Sequence, residues 1–332
     1  MIADSWFAKL VASRILRACE QNRLFLVLPA FLTTLLFSLS AVFANRTARI
    51  LGGVAANFYR LCLATALLAV WSHTAGKGVG GGAFGWFFLS GCIGFGVGDL
   101  ALYQALPRVG PRLTVLLVQC LAAPFGALLE WLWLGTELTG REVVWGLVIL
   151  AGVALALTPR EHWRIPSTTL AAGVLFGVVA ALGQGGGAVV SRKAYAVVQT
   201  AGQHIDGLSS AYQRILGGLI FAAAPALWIR GRSRKERRAE KGDGPPGKPP
   251  TRLKKVLPWI VWNSLAGPTL GVGCYQWALE NNPSGVVLPI VATTPIVVIP
   301  FAYWFEGDRP GRGSLLGGLI AVAGSVALAL SR

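Results

Sequence analysis

Charge is scarce in this sequence. Of 332 residues only 13% are Asp, Glu, Lys or Arg, against about a quarter in an ordinary soluble domain. With 54% hydrophobic residues and a mean hydropathy of +0.59, the composition excludes a protein whose main solvent is water. Acids are scarcer still, 14 against 30 Lys and Arg, for a net charge of +16. Half of that excess is confined to Arg230–Lys255, where eleven basic residues face only Glu236, Glu240 and Asp243. Pro245, Pro246, Pro249 and Pro250 interrupt the run and no aromatic residues interleave for base stacking. The segment therefore reads as a solvated loop that sets topology and touches anionic lipid, with no nucleic-acid partner.

Metal and redox chemistry also lack their raw materials. The cysteines Cys19, Cys62, Cys92, Cys120 and Cys274 are odd in number, have no metal-ligand spacing and lie mostly inside apolar runs, so neither a disulfide nor a zinc site is expected. His73, His162 and His204 fall in loops or at helix ends. The glycine cluster Gly183–Gly187 has no preceding strand, no Lys and no Ser or Thr in Walker order, and reads as close packing or a hinge. No cofactor is expected. The chain carries no Walker motif for ATP.

What the sequence does contain is long apolar runs bounded by charge, Gly or Pro. They lie at 24–44, 51–71, 82–106, 114–134 and 142–157, then at 170–190, 208–229, 256–279, 285–305 and 314–330. A bilayer core about 30 Å thick needs about 20 apolar residues per helix, so the runs predict ten spans, five on each side of a joint at 159–169. Residues 1–23 carry Lys9, Arg14, Arg17 and Arg23 with apolar residues at helical spacing, which predicts an interfacial amphipathic segment.

The two sets of five resemble each other. The stretch from Pro124 to Leu157 runs parallel to that from Pro295 to Leu330, with an acid 13 residues after each Pro, Glu137 in one and Asp308 in the other. "FYRL" around Arg60 matches "YQRI" around Arg214, and "NRTA" from Asn45 matches "SRKA" from Ser191. An odd number of spans per repeat makes consecutive repeats cross the membrane in opposite senses. The expected fold is thus an all-α membrane protein of ten transmembrane helices in two inverted five-helix repeats, 24–158 and 170–330, the second carrying the basic loop 230–255. Glycines at four-residue spacing, Gly94 with Gly98 and Gly267 with Gly271 among them, predict close helix contacts in lipid.

Taken in order, these features resemble the EamA-type family of the drug/metabolite transporter superfamily: an opening helix ending at Arg46 or Arg192, a second helix bearing Arg60 or Arg214, and Pro124 with Glu137 or Pro295 with Asp308. The sequence departs from the family in having Asp308 for the usual Glu, and "LGQGGGAVV" in place of an aromatic-bearing opening helix. The resemblance implies ten helices, a central cavity lined by the first four of each half, fifth and tenth helices nearer the periphery, and carriage or efflux of a small metabolite across a bacterial inner membrane, as a monomer or homodimer. It also implies cytoplasmic termini, whereas the Arg230–Lys255 charge argues for the opposite orientation.

An ionisable side chain deep in a span costs at least about 2.5–3.5 kcal/mol and so faces a cavity or a partner. Arg60, Arg214, Asp99 and Glu130 qualify by position. Arg60 and Arg214 occupy matching places and together could grip one anion, or each could pair with a carboxylate. Asp99 follows "GFGVG" and precedes Tyr103 and Gln104. With Asn57, Gln213, Tyr275 and Gln276 these complete the expected substrate-binding set. Glu130 lies beside Trp131 and Trp133, which read as interfacial anchors, and is expected to snorkel to the interface. Glu137 and Asp308 are expected to stabilise the dipole of the following helix. The competing functions are an integral membrane enzyme acting on lipid-linked substrate, and a scaffold that recruits partners through the basic loop.

Overall fold

A computed structural model describes residues 28–134, 139–156, 166–241, 251–281 and 290–330. The amphipathic segment expected at 1–23 and the acid Glu137 lie outside them. The described residues are helical, with no strand among them. The elements are α1 (Leu28–Leu51), α2 (Gly53–Thr74), α3 (Phe84–Gly91), α4 (Asp99–Leu134), α5 (Gly140–Ala156), α6 (Ser167–Thr200), α7 (Gly207–Lys241), α8 (Thr251–Ser264), α9 (Leu270–Asn281), α10 (Thr294–Glu306) and α11 (Arg312–Leu330). Among the described residues two π-helical segments interrupt the pattern, Cys92–Gly98 between α3 and α4 and Leu265–Thr269 between α8 and α9.

Among the described residues, five helical stretches are long and apolar enough to cross a membrane: Leu28–Leu51, Gly53–Thr74, Phe84–Trp133, Ser167–Thr200 and Gly207–Gly231. Phe84–Trp133 holds 50 residues. At about 1.5 Å per residue it would reach about 75 Å if straight, over twice the hydrocarbon thickness. It is not straight. Gly110 has φ 77° and ψ 169° inside α4. Pro111 disfavours a helical conformation at the residue before it, and only glycine takes the resulting left-handed φ without strain.

The chain reverses there. α6 records the reversal, because Gly173 packs on Val109 at the turn, Gly183 packs on Gly98 of the outgoing arm, and Gly185 packs on Ala122 and Gly126 of the returning arm. A Cβ at Gly185 would stand 2.7 Å from the Ala122 carbonyl oxygen. The glycine cluster read from the sequence as close packing is therefore a seam against both arms of one hairpin. Lipid tails are as apolar as the side chains, so such contacts rest on close backbone approach rather than on a hydrophobic drive.

Two further pairs of helices run antiparallel. Ser72 at the end of α2 bonds Ser209 at the start of α7 with 3.2 Å between hydroxyls, and Leu61 of α2 shares a buried cluster with Ile215 and Ala222 of α7. α5 and α11 cross at Gly152 and Gly317 in a reciprocal way. A Cβ on Gly152 would lie 2.8 Å from the Gly317 oxygen, and one on Gly317 would lie 2.6 Å from the Gly152 oxygen. Gly324 reaches Ile149 and Gly317 reaches Ala156, which fixes the opposed directions.

The outer surface is apolar, as lipid requires. Val70, Leu147, Leu175 and Ile220 are each at least 60% exposed, and Trp304 is 71% exposed. The stretch 230–255, read from the sequence as a loop, begins as a continuation of α7, whose backbone stays helical to Lys241.

Candidate functional site

A cavity of about 120 Å³ opens where the elements converge. α1 contributes Phe37 and Ser40, α2 Arg60, α4 Asp99 and Gln119, α6 Gln184, α7 Arg214 and α9 Tyr275. Arg60 and Arg214 are each the eighth residue of their helices. Since α2 and α7 run antiparallel, the two guanidinium groups approach the cavity from opposite ends.

Their surroundings differ. Arg60 is 5% exposed, forms an ion pair with Asp99, and donates to Asn57 Oδ1 at 3.0 Å. Its guanidinium carbon stands 4.9 Å from the centre of the Tyr103 ring. Arg214 is as deeply placed at 7% exposed, yet forms no ion pair among the described residues. Its Nε, like that of Arg60, is buried without a hydrogen-bond partner among the described residues, and the Phe95 ring lies 5.4 Å from its guanidinium carbon. Asp99 lies within electrostatic reach of both arginines.

The π-segments bring the two arginines to the cavity in a crossed fashion. Gly94 is the third residue of the first π-segment, and a Cβ there would stand 3.4 Å from Nη2 of Arg214. Gly267 is the third residue of the second, and a Cβ there would stand 3.2 Å from Nη1 of Arg60. Each π-segment therefore offers a bare glycine surface to the arginine of the other half. The widened turn of a π-segment is a common local feature of functional sites.

A second chamber of about 80 Å³ shares Gln119, Gln184, Ala188 and Tyr275 with the first. Gln184 Nε2 donates to Gln119 Oε1 at 2.7 Å across the neck. The chamber follows the returning arm of α4 through Ala122, Gly126 and Ala127 to Glu130, where Arg192 closes an ion pair. Glu130 is 5% exposed, so it does not snorkel; its buried carboxylate has Arg192 as partner, and the Arg192 side chain is 47% exposed.

At the Gly110 end of the same arm, Arg112 Nε bonds Asp308 Oδ2 at 2.9 Å, and Asn45 Nδ2 donates to Glu306 at 2.7 and 2.6 Å. Asp308 thus binds a side chain of α4. Nearer the cavity, Ser40 Oγ donates to Asn263 Oδ1 at 2.8 Å and Asn263 donates to the Tyr103 hydroxyl. One side of the central cavity leads into the second chamber through Gln119, Gln184, Ala188 and Tyr275.

Of the residues expected to bind substrate, Arg60, Asp99, Arg214 and Tyr275 line the central cavity together. Asn57 and Tyr103 stand behind Arg60 and hold it. Gln104 accepts a hydrogen bond from Arg108 at 2.9 Å, and Gln213 donates to the carbonyls of Gly78 and Gly80 at 3.0 and 2.7 Å, so both serve other contacts. Gln276 is fully buried, and neither polar atom of its side-chain amide finds a hydrogen-bond partner among the described residues. Gln119 and Gln184 form the neck although only their polarity within apolar runs marked them. Phe37 and Ser40 line the cavity without a distinguishing sequence signal.

Residues 24–158 and 171–330 both match the EamA-like transporter family. The chain belongs to that family. Its two EamA-like repeats meet at the cavity just described, with Arg60 and Asp99 from the first and Arg214 and Tyr275 from the second. A solved crystal structure of a protein aligns with a TM-score of 0.57 at 16% identity, covering 91% of this chain and 94% of its own, a likeness of fold alone. No curated protein matches the sequence. The family is one of membrane transporters, and the apolar helices make this EamA-like chain an integral membrane protein.

Proposed function

We propose that this chain is a secondary transporter that carries a small anionic metabolite between two inverted repeats by alternating access. The observation that carries the reading is Arg214, a guanidinium buried beside a cavity with no ion-pair partner among the described residues. Burying an unpaired charge is costly in protein and more so in lipid. A group retained at that cost is explained by a partner that comes and goes. A carboxylate or phosphate oxygen fits the guanidinium fork.

Inversion is supported by the antiparallel runs of α2 with α7 and of α5 with α11, and by the crossed glycine–arginine contacts. On this reading the hairpin at Gly110 supplies two of ten spans. The contacts Asn45–Glu306 and Arg112–Asp308 hold one side shut, while the neck at Gln119 and Gln184 and the pair Glu130–Arg192 line the route to the other. Alternation then requires the closed side to open as the second chamber narrows. The membrane is a bacterial inner membrane and the direction is efflux, with no nucleic acid, metal or cofactor involved.

The test is a thermal-stability screen of the purified protein with carboxylates, phosphate monoesters, cations and uncharged aromatics. A ligand at 100 times its Kd adds about 2.7 kcal/mol to the folded state. The expected result is a shift from anions that Arg214→Gln abolishes. Shifts confined to cations or uncharged compounds would overturn the reading.

A further inference from the structure

The crossed arrangement of the two repeats allows their charges to be compared position by position. Counting from the first residue of each π-segment, the third position is Gly94 in one repeat and Gly267 in the other, and each faces an arginine. The eighth position is Asp99 in the first repeat. In the second it is Val272. Asp99 is the counter-ion of Arg60. Val272 lines the cavity that Arg214 lines and packs in the buried cluster that holds Tyr212 and Ile215, beside Arg214 in sequence. The second repeat thus keeps the arginine and lacks the acid.

The consequence is a fixed charge. Among the described residues, Arg60, Asp99 and Arg214 are the Asp, Glu, Lys or Arg side chains lining the central cavity, and they sum to one net positive charge. The rest of the lining is largely apolar, with Phe37, Ala41, Leu102, Val115 and Val118 among it. A solute with one negative group cancels the charge and can lay an apolar body on that wall. A second negative group would be buried without a cation, which in a low-dielectric site is strongly unfavourable.

We propose that the absence of an acid at Val272 sets the charge selectivity of the site, and that the cavity takes a monoanion with an apolar body, a monocarboxylate being the simplest case. This rests on the reading of Arg214 as the anion-binding group. Val272 is the specificity-determining position because an acid there would complete a second ion pair and leave the cavity neutral.

The experiment uses the full-length protein in detergent and three rigid probes of one shape: benzoate, terephthalate and 4-(aminomethyl)benzoate, with thermal stability and a titrated Kd as readouts. Benzoate is expected to bind at least tenfold more tightly than terephthalate and 4-(aminomethyl)benzoate. Val272→Asp is expected to abolish the benzoate shift, and Val272→Asn to retain it. Asp99→Asn, which raises the cavity charge by one, is expected to move the preference toward terephthalate and provides the same test if Val272→Asp fails to fold. Terephthalate or the zwitterion binding as well as benzoate to the wild type, with both shifts lost in Arg214→Gln, would overturn the one-charge proposal and leave the anion site standing. A benzoate shift that survives Arg214→Gln would overturn the anion site itself.

Discussion

Asp99 is the ion-pair partner of Arg60, while Arg214, which sits at the matching position of the other repeat, has none among the described residues. The two arginines share depth, helix position and a facing glycine, so the difference between them isolates what a counter-ion does. It predicts opposite effects on stability from one chemical change.

Arg60→Gln leaves the Asp99 carboxylate buried without its partner, and breaking a buried pair in this way costs about 3–5 kcal/mol. Arg214→Gln removes a charge that the fold has not paired. Thermal unfolding in detergent should show Arg60→Gln well below wild type and Arg214→Gln at or above it, while ligand shifts are lost in Arg214→Gln. Equal destabilisation by the two substitutions would mean that Arg214 has a structural partner.

The crossing of α5 and α11 rests on bare backbone at Gly152 and Gly317. A methyl group at either position meets a carbonyl oxygen of the opposite helix at 2.6–2.8 Å. Overpacking of this kind costs about 1–3 kcal/mol. Gly152→Ala and Gly317→Ala should each lower the unfolding temperature, and the double variant should lose less than the sum because both press on one contact. Gly140→Ala, where a Cβ meets open space, serves as the control.

Antiparallel packing of α2 and α7 places Ser72 beside Ser209, 3.2 Å apart at their hydroxyls. The variant Ser72→Cys with Ser209→Cys should form a disulfide under mild oxidation, detected by mass spectrometry of the linked peptides. Ser72→Cys with Ala222→Cys, 13 residues beyond Ser209 along α7, should not.

Glu130 and Arg192 stand at the far end of the second chamber. Glu130→Gln should leave equilibrium binding of a solute at Arg214 within about threefold and alter the rate of exchange across vesicles. Loss of binding by an order of magnitude would show that the second chamber belongs to the binding site rather than to the route.

Much of the architecture was written in the sequence as apolar runs and internal repetition, and the pairing of Arg60 with Arg214 followed from matching the repeats. What the runs could not reveal is which way a polar side chain turns. Gln104 and Gln213 read like Gln119 and Gln184, polar groups within apolar helices. Yet the first two serve Arg108 and the carbonyls of Gly78 and Gly80, and the last two form the neck. Helix phase and tertiary partner decide such roles, and neither is a property of residue type. Glu130 read as interfacial because of Trp131 and Trp133, which are indeed half-exposed, but its own side chain turns inward to Arg192. Val272 carries no sequence signal at all. Its meaning appears only once the π-segments align it with Asp99.

On the proposed function, solute crosses the membrane bound to Arg214. The most direct measurement is counterflow in proteoliposomes: vesicles loaded with unlabelled benzoate and diluted into a trace of labelled benzoate. The account predicts transient accumulation of label with wild-type protein, and none with Arg214→Gln although that variant is folded. Accumulation by Arg214→Gln at the wild-type rate would contradict it.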